Sequence, residues 1–471
     1  MTPSPIRRYL RGKTILLTGG TGFLGKVIVE RLLRAAPDIE RIYLLIRTAA
    51  DSPARTRFES EVLASPVFDA PADREGEVWR ALLRGVVVPV AGDVSQPRLG
   101  LADDDYVSLA ASVDIIINGA ASVSFDAPVD EALLHNTRSV EHIAAFARGC
   151  RSAALVHVST AYVSGQRTGR VAEEPLSPNV SACEIAAIDR LVAEVRDDAA
   201  SARWSARATR GRLAEAGMTR ARRLGWHDNY TYTKALGEMV LESQRGDVPT
   251  AIIRPAIIES SLRDPLPGWI QNLNVLDPMI IEYGRGRLPE FPLGRHTVLD
   301  VVPVDLVANA LVAVLPLVPG MRQAIGYFTL GSGAINPLTG GLLYELGREY
   351  FLRQPLHDRA GQAIVPPPWT LPSPGRFREM FAGQAQNSTS MKRLMYLADL
   401  YEQYANIECI FDTTNSQRLL DGLDDADRAL LDFDVRRIDW RAYIQDVHIP
   451  GLRRHVLRGG AGAPSEFVGG G

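Results

Sequence analysis

A tyrosine and a lysine four residues apart are the side chains of this sequence whose types and spacing point most directly to chemistry. Tyr230 and Lys234 lie at the start of a helical pattern in NYTYTKALGE, so both fall on one face of that helix. Reduction of a carbonyl needs a proton on the developing oxyanion, and a phenol supplies it when a nearby ammonium lowers its pKa. The pair therefore predicts a proton donor for carbonyl reduction.

Spacing alone does not identify this site. Only four of the 52 basic residues are lysines, yet the same spacing recurs at Tyr9 and Lys13, before the first strand-like run, where we expect no helix to align the pair. Tyr230 is favoured by its place, because it follows HVSTAYVSG. Thr160 in that segment can polarise a substrate carbonyl, with Ser159 as the alternative residue. Capping of a turn is the structural alternative for both hydroxyls.

A glycine-rich segment predicts a cofactor site. Gly19, Gly22 and Gly25 in TGGTGFLG come directly after a strand-like run and open a helical one. Such glycines allow a tight turn and bring backbone N–H groups and a helix N-terminus to a pyrophosphate. An ordinary strand-to-helix turn is the structural alternative, but the context favours a dinucleotide. Lys234 would then also bind the nicotinamide ribose.

The end of the next strand indicates the type of nicotinamide cofactor. NAD sites usually place Asp or Glu there to bind the ribose 2′-hydroxyl, whereas IYLLIRT ends in Arg47. A guanidinium can bind a 2′-phosphate through two hydrogen bonds. NADPH is therefore favoured, with Arg57 as a second cation nearby, and a solvated strand end is the alternative.

The adenine end of the cofactor has weaker candidates. Asp93 and Asn118 follow the third and fourth predicted strands, although each suits a turn equally well. Neighbours of these positions, of the glycine segment and of a later strand complete the predicted cofactor set: Thr21, Phe23, Leu24, Val94, Ala120, Pro255 and Ile257. The eight histidines show no spacing typical of a metal site, so no metal is predicted.

The elements that must position these residues alternate along the chain. Strand-like runs occur at residues 13–18, 42–46, 86–90, 113–118, 154–158 and 251–254, with helical patterns at 26–34, 131–148 and 234–243. This alternation predicts an α/β fold, a Rossmann-type doubly wound parallel sheet, over residues 1–340. Helical patterns at 341–352, 390–405, 415–420 and 439–447 predict a mainly helical C-terminal domain over 341–458, followed by a flexible tail over 459–471.

Composition excludes several classes of protein. The 471 residues are 46% hydrophobic and 23% charged, with a net charge of −3, so the chain can bury a large core and shows no basic field for nucleic acid. Three cysteines without CxxC spacing favour the reducing cytoplasm. No apolar secretory segment opens the sequence, and Asp and Pro interrupt its most apolar long run, so neither a signal peptide nor a membrane span is predicted.

Together these segments resemble the extended short-chain dehydrogenase/reductase superfamily and, within it, the fatty acyl-CoA reductases. The resemblance rests on TGGTGFLGKVIVERLL, IYLLIR, GDVSQPRLGL, INGAASVSFD, VHVSTAYVSG, YTYTKALGE, AIIRPAII, DPLPGWIQNLN, VVPVDLVANAL, INPLT, FDTTN and FDVRRIDWRAY, in the family's order. They span nearly the whole chain, and the last three are similar to that family's helical C-terminal domain. The polar, glycine-rich end lacks the apolar anchor of animal members, which favours a soluble, bacterial-type form.

The resemblance implies NADPH-dependent reduction of a long-chain acyl-CoA. Hydride addition to the thioester carbonyl gives a hemithioacetal that expels CoA thiol, and a second hydride converts the bound aldehyde to a primary fatty alcohol, as used in wax ester biosynthesis. The family's catalytic residues fall on Thr160, Tyr230 and Lys234. Its cofactor residues fall on the loop 19–25 and on Arg47.

Four alternatives stay open at this point. They are a reductase of carrier-protein thioesters, a reductase that stops at the aldehyde, a sugar-nucleotide epimerase or dehydratase, and a non-catalytic NADP(H) sensor. The Pro/Trp-rich segment around Trp269 favours an acyl chain over a sugar, and a sensor needs no proton donor. The sequence does not fix the preferred chain length or the oligomeric state.

Two arginine-rich segments have no assigned role. The first forms either a funnel for CoA phosphates or a solvated helix face, and its members are Arg203, Arg207, Arg210, Arg212, Arg220, Arg222 and Arg223. The second lies near residues 443–457 and carries Arg453, Arg454 and Arg458. It either packs against the Rossmann domain, which is favoured, or makes a peripheral contact with the inner face of the membrane.

Overall fold

The computed structural model describes residues 3–48, 53–69, 76–176, 181–385, 395–396, 398–399, 401, 404 and 406–457. Its strands are β1 (Thr14–Thr18), β2 (Arg41–Ile46), β3 (Val87–Ala91), β4 (Ile115–Asn118), β5 (Ala154–Val158), β6 (Gly169–Val171), β7 (Thr250–Pro255), β8 (Ile257–Glu259), β9 (Val298–Leu299), β10 (Val301–Pro303), β11 (Gly326–Leu330), β12 (Leu338–Thr339) and β13 (Cys409–Phe411).

The α-helices are α1 (Pro5–Leu10), α2 (Phe23–Ala35), α3 (Ala54–Arg57), α4 (Gly76–Val86), α5 (Asp103–Ser112), α6 (Val129–Leu133), α7 (Ser139–Gly149), α8 (Ser181–Ser201), α9 (Ala206–Arg223), α10 (Asn229–Gln244), α11 (Asp277–Gly284), α12 (Val304–Val314), α13 (Gly340–Arg353), α14 (Pro374–Ala385), α15 (Thr414–Asp421), α16 (Asp425–Leu430), α17 (Trp440–Ala442) and α18 (Ile449–Leu452). Short 3₁₀ turns cover Pro66–Phe68, Pro97–Gly100, Ala161–Ser164, Leu315–Gly320 and Val435–Arg437, and π-helical turns cover Phe58–Leu63, Leu134–Arg138, Tyr443–His448 and Arg453–Leu457.

In the described part of the chain, seven parallel strands form the central sheet, in the order β11–β7–β5–β4–β1–β2–β3. Runs such as TILLT in β1 and IIIN in β4 are buried along their whole length, as expected for parallel strands covered on both faces. The predicted Rossmann-type α/β fold is confirmed, and all six predicted strands are present. Strand β11 was missed.

The register of the sheet is fixed by burial on both of its faces. Ile15 and Leu17 of β1 belong to the core that contains α2 and α12, whereas Leu16 belongs to the opposite core with α7 and α10. Each fully buried side chain of this size stabilises the fold by about 1.5–3 kcal/mol. A shift of the strand pairing by one residue would place all three side chains on the opposite face of the sheet. The burial pattern therefore fixes the positions of the strand ends.

The strand order reverses between β1 and β4. From β1 the chain continues to β2 and β3 on one side, and from β4 it continues to β5, β7 and β11 on the other. The crevice outside the carboxyl ends of strands at such a reversal is where open α/β sheets bind ligands. The loops that follow β1 and β4 therefore lie where a cofactor is expected.

The chain after Gly340 is mainly helical, but β13 pairs in parallel with β6 and so ties this region to the first part of the chain. Tyr443, Ile444, Ile449 and Leu452 are buried, which supports packing of this arginine-rich segment within the protein. The predicted helix at 390–405 and the tail 459–471 lie largely or wholly outside the described residues. Of the helices that are described, none combines the length and apolarity needed to cross a membrane.

Candidate active site

The predicted catalytic side chains meet at the carboxyl ends of β5 and β7. Tyr230 and Lys234 lie one turn apart in α10. The Tyr230 hydroxyl is hydrogen-bonded to the Thr160 side chain, and Lys234 Nζ donates to the Val158 carbonyl at 2.7 Å. Helix α10 begins at this place because Asp228 caps it.

The electrostatics of this site differ from the sequence-based prediction. Burial, and then the charge of Asp228, raise the pKa of Tyr230 above its ordinary value, while the bond to Thr160 lowers it. Burial lowers the pKa of Lys234 to about 8, against the attraction of Glu238. The predicted lowering of the Tyr230 pKa by Lys234 was therefore wrong for the protein alone, because burial and Asp228 outweigh it. A phenol that stays protonated at neutral pH suits a proton donor.

The two candidate hydroxyls have different surroundings. Thr160 Oγ1 donates to the Pro255 carbonyl at 3.4 Å and accepts from the Tyr162 N–H at 3.3 Å, so it also caps the turn that follows. Ser159 is 5% exposed, and its Oγ has no hydrogen-bond partner. A buried hydroxyl without a partner is costly, so Ser159 is available to a substrate oxygen.

The glycine loop has the shape of a pyrophosphate cradle. Gly19 has a φ of +75°, and Gly22 begins α2 without a side-chain cap, which presents the first N–H groups of the helix to an anion. A Cβ atom on Gly25 would lie 2.1 Å from the Gly19 oxygen, and one on Gly19 would lie 2.7 Å from the backbone of Gly119. The loop is therefore packed against the chain after β4, and these residues fit a dinucleotide cofactor.

A segment around Trp269 reaches this loop. The Phe23 and Trp269 rings lie 5.2 Å apart, and Gln271 Nε2 donates to the Thr21 carbonyl at 3.4 Å. Gln271 Oε1 is buried without a partner, which makes it a candidate for cofactor or substrate contact. The sequence analysis did not assign Gln271, since nothing local marks it.

The Asn118 side chain is used within the protein. Its Oδ1 accepts from the Thr18 hydroxyl at 2.7 Å, and its Nδ2 lies 3.0 Å from His157 Nδ1. The Thr18 oxygen also accepts from the Ala120 N–H at 3.1 Å. This network joins the carboxyl ends of β1, β4 and β5, and Asn118 ends strand β4 rather than forming a turn. Its contact with a cofactor stays a prediction.

Arg47 is exposed at the end of β2, as a ligand for a phosphate should be. Its carbonyl accepts from the Arg57 guanidinium, which also binds both Glu61 oxygens, at 2.7 and 2.9 Å. Arg57 therefore braces the backbone of Arg47. These bonds use three of the five N–H donors of the guanidinium, and a direct role of Arg57 at the cofactor stays a prediction.

Three titratable side chains lie near the predicted adenine end of the cofactor site. Asp93 Oδ1 accepts from the N–H and hydroxyl groups of Ser95, at 2.8 and 2.7 Å, as in a turn. Burial and then the charge of Arg47 lower the pKa of His135, and Asp93 raises it. Arg47, Asp93 and His135 thus lie within electrostatic reach of one another, and the sequence analysis missed His135.

The other predicted cofactor residues lie on elements around this edge of the sheet. Leu24 lies in the first turn of α2, Val94 follows β3, Pro255 ends β7 and Ile257 begins β8. Leu24 and Val94 are half-buried, whereas Pro255 and Ile257 are buried. Their contacts with a cofactor stay predictions.

Asn136 is a third residue that the sequence analysis missed. A π-helical turn interrupts the α6–α7 helix here, and such turns are frequent at functional sites. The Asn136 side chain accepts from the Ser122 N–H at 2.9 Å and donates to Thr233 Oγ1 at 3.1 Å. It therefore clamps the loop after β4 to the helix that carries Tyr230.

An apolar cavity lies near the catalytic residues. Its lining is Val275, Leu276, Met279, Phe291, Leu293, Leu299, Tyr401 and Tyr404. The Tyr404 ring stacks on Phe125 at 4.9 Å, and Phe125 lies 5.9 Å from the Tyr230 ring. The rings of Phe125 and Tyr404 thus connect Tyr230 to the cavity.

A buried group of acids and a histidine lies beside the cavity. Glu259, Asp277 and His448 are at most 1% exposed, and one ligand atom from each lies within 4.8 Å of the others. His448 Nε2 lies 3.1 Å from Asp277 Oδ1, and its Nδ1 lies 2.9 Å from the Ser260 hydroxyl. Burial and then the charge of Asp277 raise the pKa of Glu259 well above its ordinary value. A proton on Glu259, shared with Asp277, would offset the repulsion between the two carboxylates, and the three side chains are also close enough to hold a metal ion.

Replacing Glu259 with glutamine should leave the fold intact and remove a pH dependence of stability. The unfolded chain releases the Glu259 proton near pH 4.5, whereas the folded protein keeps it to higher pH. The wild-type free energy of unfolding should therefore fall above that pH by about 1.4 kcal/mol per pH unit, and the Glu259→Gln protein should lack this slope. Thermal unfolding at several pH values measures the effect.

Asp277→Asn is the matched comparison. Asp277 Oδ2 accepts from the Asn274 N–H at 2.6 Å, and its Oδ1 lies 3.1 Å from His448 Nε2. Asparagine keeps only one of these two oxygen atoms, and loss of the other acceptor should cost roughly 1–3 kcal/mol. A Glu259→Gln protein destabilised as strongly as Asp277→Asn, or a wild type destabilised by a chelator, would contradict the shared proton.

Part of the first arginine-rich segment is paired with acids. Arg210 binds Glu131, Arg212 binds Glu215 at 3.1 Å, and Arg220 binds Glu184 at 2.7 Å. The Tyr232 hydroxyl donates to the same Glu184 carboxylate at 2.7 Å. These pairs favour the structural alternative over a funnel for CoA phosphates.

Comparisons with known proteins identify the family of this chain. Two family models described as Male sterility protein match the chain, an NAD-binding one over residues 17–311 and one named Sterile over residues 377–459. Fatty acyl-CoA reductase 2, chloroplastic, of Arabidopsis thaliana is 36% identical, with 96% of this chain and 80% of that protein covered. The alcohol-forming fatty acyl-CoA reductase of Simmondsia chinensis is 32% identical, with 96% and 99% covered.

Solved structures share the fold. The terminal reductase domain of the myxalamid biosynthetic pathway has a TM-score of 0.66 at 19% identity, with 95% of this chain and 92% of that chain covered. The reductase domain of a non-ribosomal peptide synthetase from Mycobacterium tuberculosis has a TM-score of 0.57 at 19% identity, with 98% and 94% covered. With the two plant relatives matched over nearly the whole chain, this protein belongs to the fatty acyl-CoA reductase family of oxidoreductases.

Proposed function

We propose that this enzyme reduces a long-chain acyl-CoA to a primary fatty alcohol, with two equivalents of NADPH and a bound aldehyde between the two steps. The observation that carries the proposal is the apolar cavity, whose wall residue Tyr404 is connected to Tyr230 through the Phe125 ring. A proton donor near a hydrocarbon-lined space suits a carbonyl at the end of an alkyl chain better than a sugar nucleotide. The name of the Simmondsia relative supports an alcohol as the product.

Different residues of the site bind the substrate oxygen and donate the proton. A bound nicotinamide cofactor would supply the hydride. Tyr230 donates its phenolic proton to the oxyanion, while Thr160 and Ser159 hold that oxygen. Collapse of the hemithioacetal then breaks the C–S bond, with the hydroxyl proton returned to the Tyr230 phenolate and CoA leaving as a thiolate that takes a proton from solvent. In the second round the same phenol protonates the alkoxide that forms from the aldehyde.

Arg47 should set the preference for NADPH. We expect Arg47→Ser to weaken NADPH binding by about 10–100-fold, the loss of a charge-assisted contact, and to leave NADH binding unchanged. Equilibrium titration by fluorescence measures both. Arg41→Ser, at the other end of β2, is the matched control and should change neither affinity. Equal weakening of NADPH and NADH by Arg47→Ser would contradict this role.

The apolar cavity should set the acyl chain length. Met279→Trp narrows it, so we expect kcat/KM for a hexadecanoyl thioester to fall by about tenfold or more, with little change for a butanoyl thioester. Met380→Trp, at an exposed site on α14, is the matched control. An equal loss of kcat/KM for both thioesters would show that the alkyl chain binds elsewhere.

A direct comparison tests whether the thiol part of the substrate is CoA or a carrier protein. The same hexadecanoyl chain is offered as its CoA ester and as a carrier-protein ester, and kcat/KM is compared. We expect the CoA ester to be the better substrate. A carrier-protein ester preferred by tenfold or more would make this chain a carrier-protein thioester reductase with the same site.

A further inference from the structure

The geometry points to Tyr404 as a positioning residue that acts through Asp228 on the proton donor. This inference rests on the proposed function, since it assigns a role in that reaction. Tyr404 lies between α14 and β13 and is 4% exposed. It therefore brings a side chain from the C-terminal part of the chain to the catalytic residues.

Tyr404 is bonded to the residue that starts the catalytic helix. Its hydroxyl donates to Asp228 Oδ2 at 2.6 Å. Asp228 Oδ1 accepts from the Thr231 N–H at 2.7 Å and from the Thr231 hydroxyl at 3.0 Å, which caps α10 one turn before Lys234. One buried carboxylate thus joins the C-terminal region to the turn that contains Tyr230.

The hydrogen bond from Tyr404 also affects the charge of Asp228. Burial raises the pKa of Asp228, and the hydrogen bond from Tyr404 is the largest of the effects that lower it. The charge on Asp228 in turn raises the pKa of Tyr230. Without the Tyr404 hydroxyl, Asp228 takes up a proton more easily, and both the cap and the charge beside Tyr230 weaken.

The ring of Tyr404 belongs to the wall of the apolar cavity. It stacks on Phe125 at 4.9 Å and meets Tyr162 edge-on at 5.0 Å. These two ring contacts hold the Tyr404 side chain in place, so its hydroxyl stays directed at Asp228.

The test compares Tyr404→Phe with Tyr401→Phe, which removes a hydroxyl from another tyrosine of the same cavity. We expect Tyr404→Phe to lower kcat for hexadecanoyl-CoA by about tenfold, a part of what a positioned acid contributes, with KM nearly unchanged. Asp228→Asn should lower kcat similarly, and the double variant should be no slower than the slower single variant. Unchanged NADPH affinity and circular dichroism show that each variant is folded.

The pH profile separates positioning from a merely structural role. The kcat profile of Tyr404→Phe should gain a step from titration of Asp228, and the double variant should lack that step. The inference would be overturned if Tyr404→Phe had the same kcat as Tyr401→Phe, or if the effects of Tyr404→Phe and Asp228→Asn on kcat were independent. It would also be overturned if the step in the pH profile persisted in the double variant.

The same variants are assayed on hexadecanal and butanal, so that the proposed function is judged separately. A wild type that reduces hexadecanal but not hexadecanoyl-CoA contradicts the proposed function alone, and the aldehyde data then decide the role of Tyr404. A wild type that reduces neither substrate contradicts both.

Discussion

Replacing Tyr230 with phenylalanine should lower kcat by about 10²–10⁴-fold and leave NADPH binding nearly intact, because the change removes the proton donor and little else. The ring keeps its contact with Phe125, at 5.9 Å. The bond to the Thr160 side chain is lost. Single-turnover kinetics with an acyl-CoA measure the reduction step directly. A Tyr230→Phe protein with more than a tenth of the wild-type rate would remove Tyr230 from the mechanism.

Tyr9→Phe is the matched control for this experiment. Tyr9 has the same spacing to Lys13 that Tyr230 has to Lys234. It lies in α1, a helix that the sequence analysis did not predict, but Lys13 lies beyond the end of that helix and binds Asp114 at 3.4 Å. The Lys13 ammonium also lies 5.9 Å from the Tyr9 ring. This pair stabilises the fold, so Tyr9→Phe should keep the wild-type kcat.

Replacing Gly25 with alanine should abolish binding of the nicotinamide cofactor, with the dissociation constant raised by about 100-fold or more, roughly 3 kcal/mol. The new Cβ atom would lie 2.1 Å from the Gly19 oxygen and 2.8 Å from the Gly20 Cα. The loop can only move away from the helix N-terminus, which is the part that would hold the pyrophosphate. Calorimetric titration with NADPH measures the loss.

Gly211→Ala is the control for that substitution. Gly211 lies within α9, and a Cβ atom there would meet nothing within 4 Å. Alanine should stabilise this helix by about 0.5–1 kcal/mol and leave cofactor affinity unchanged. A Gly25→Ala protein that melts like the wild type and binds NADPH equally well would show that the loop does not form the cofactor site.

The parts of the fold that the sequence predicted are those with local signals. Tyr230 and Lys234 share a helical face at a spacing of four residues, and the glycine loop stands between a strand and a helix, so both were predicted from short segments. Strand β11 was missed, because the 3₁₀ turn Leu315–Gly320 and an irregular segment precede it and break the alternation of strands and helices.

The residues that the sequence analysis missed depend on contacts distant in the chain. Tyr404 and Asp228 are 176 residues apart, and Gln271 and Thr21 are 250 apart. Glu259, Asp277 and His448 likewise meet only through the fold. The raised pKa of Tyr230 comes from burial and from Asp228, and burial of this kind is a property of the tertiary structure.

The central claim is that one site carries out both reductions of an acyl-CoA. The most direct measurement follows NADPH oxidation, free thiol release and the organic product together, from a hexadecanoyl-CoA substrate, with Tyr230→Phe as the inactive control. The account predicts two NADPH oxidised per thiol released and hexadecanol as the product. One NADPH per thiol with hexadecanal accumulating would contradict the alcohol-forming reaction, and NADPH binding without any thiol release would contradict the acyl-CoA substrate itself.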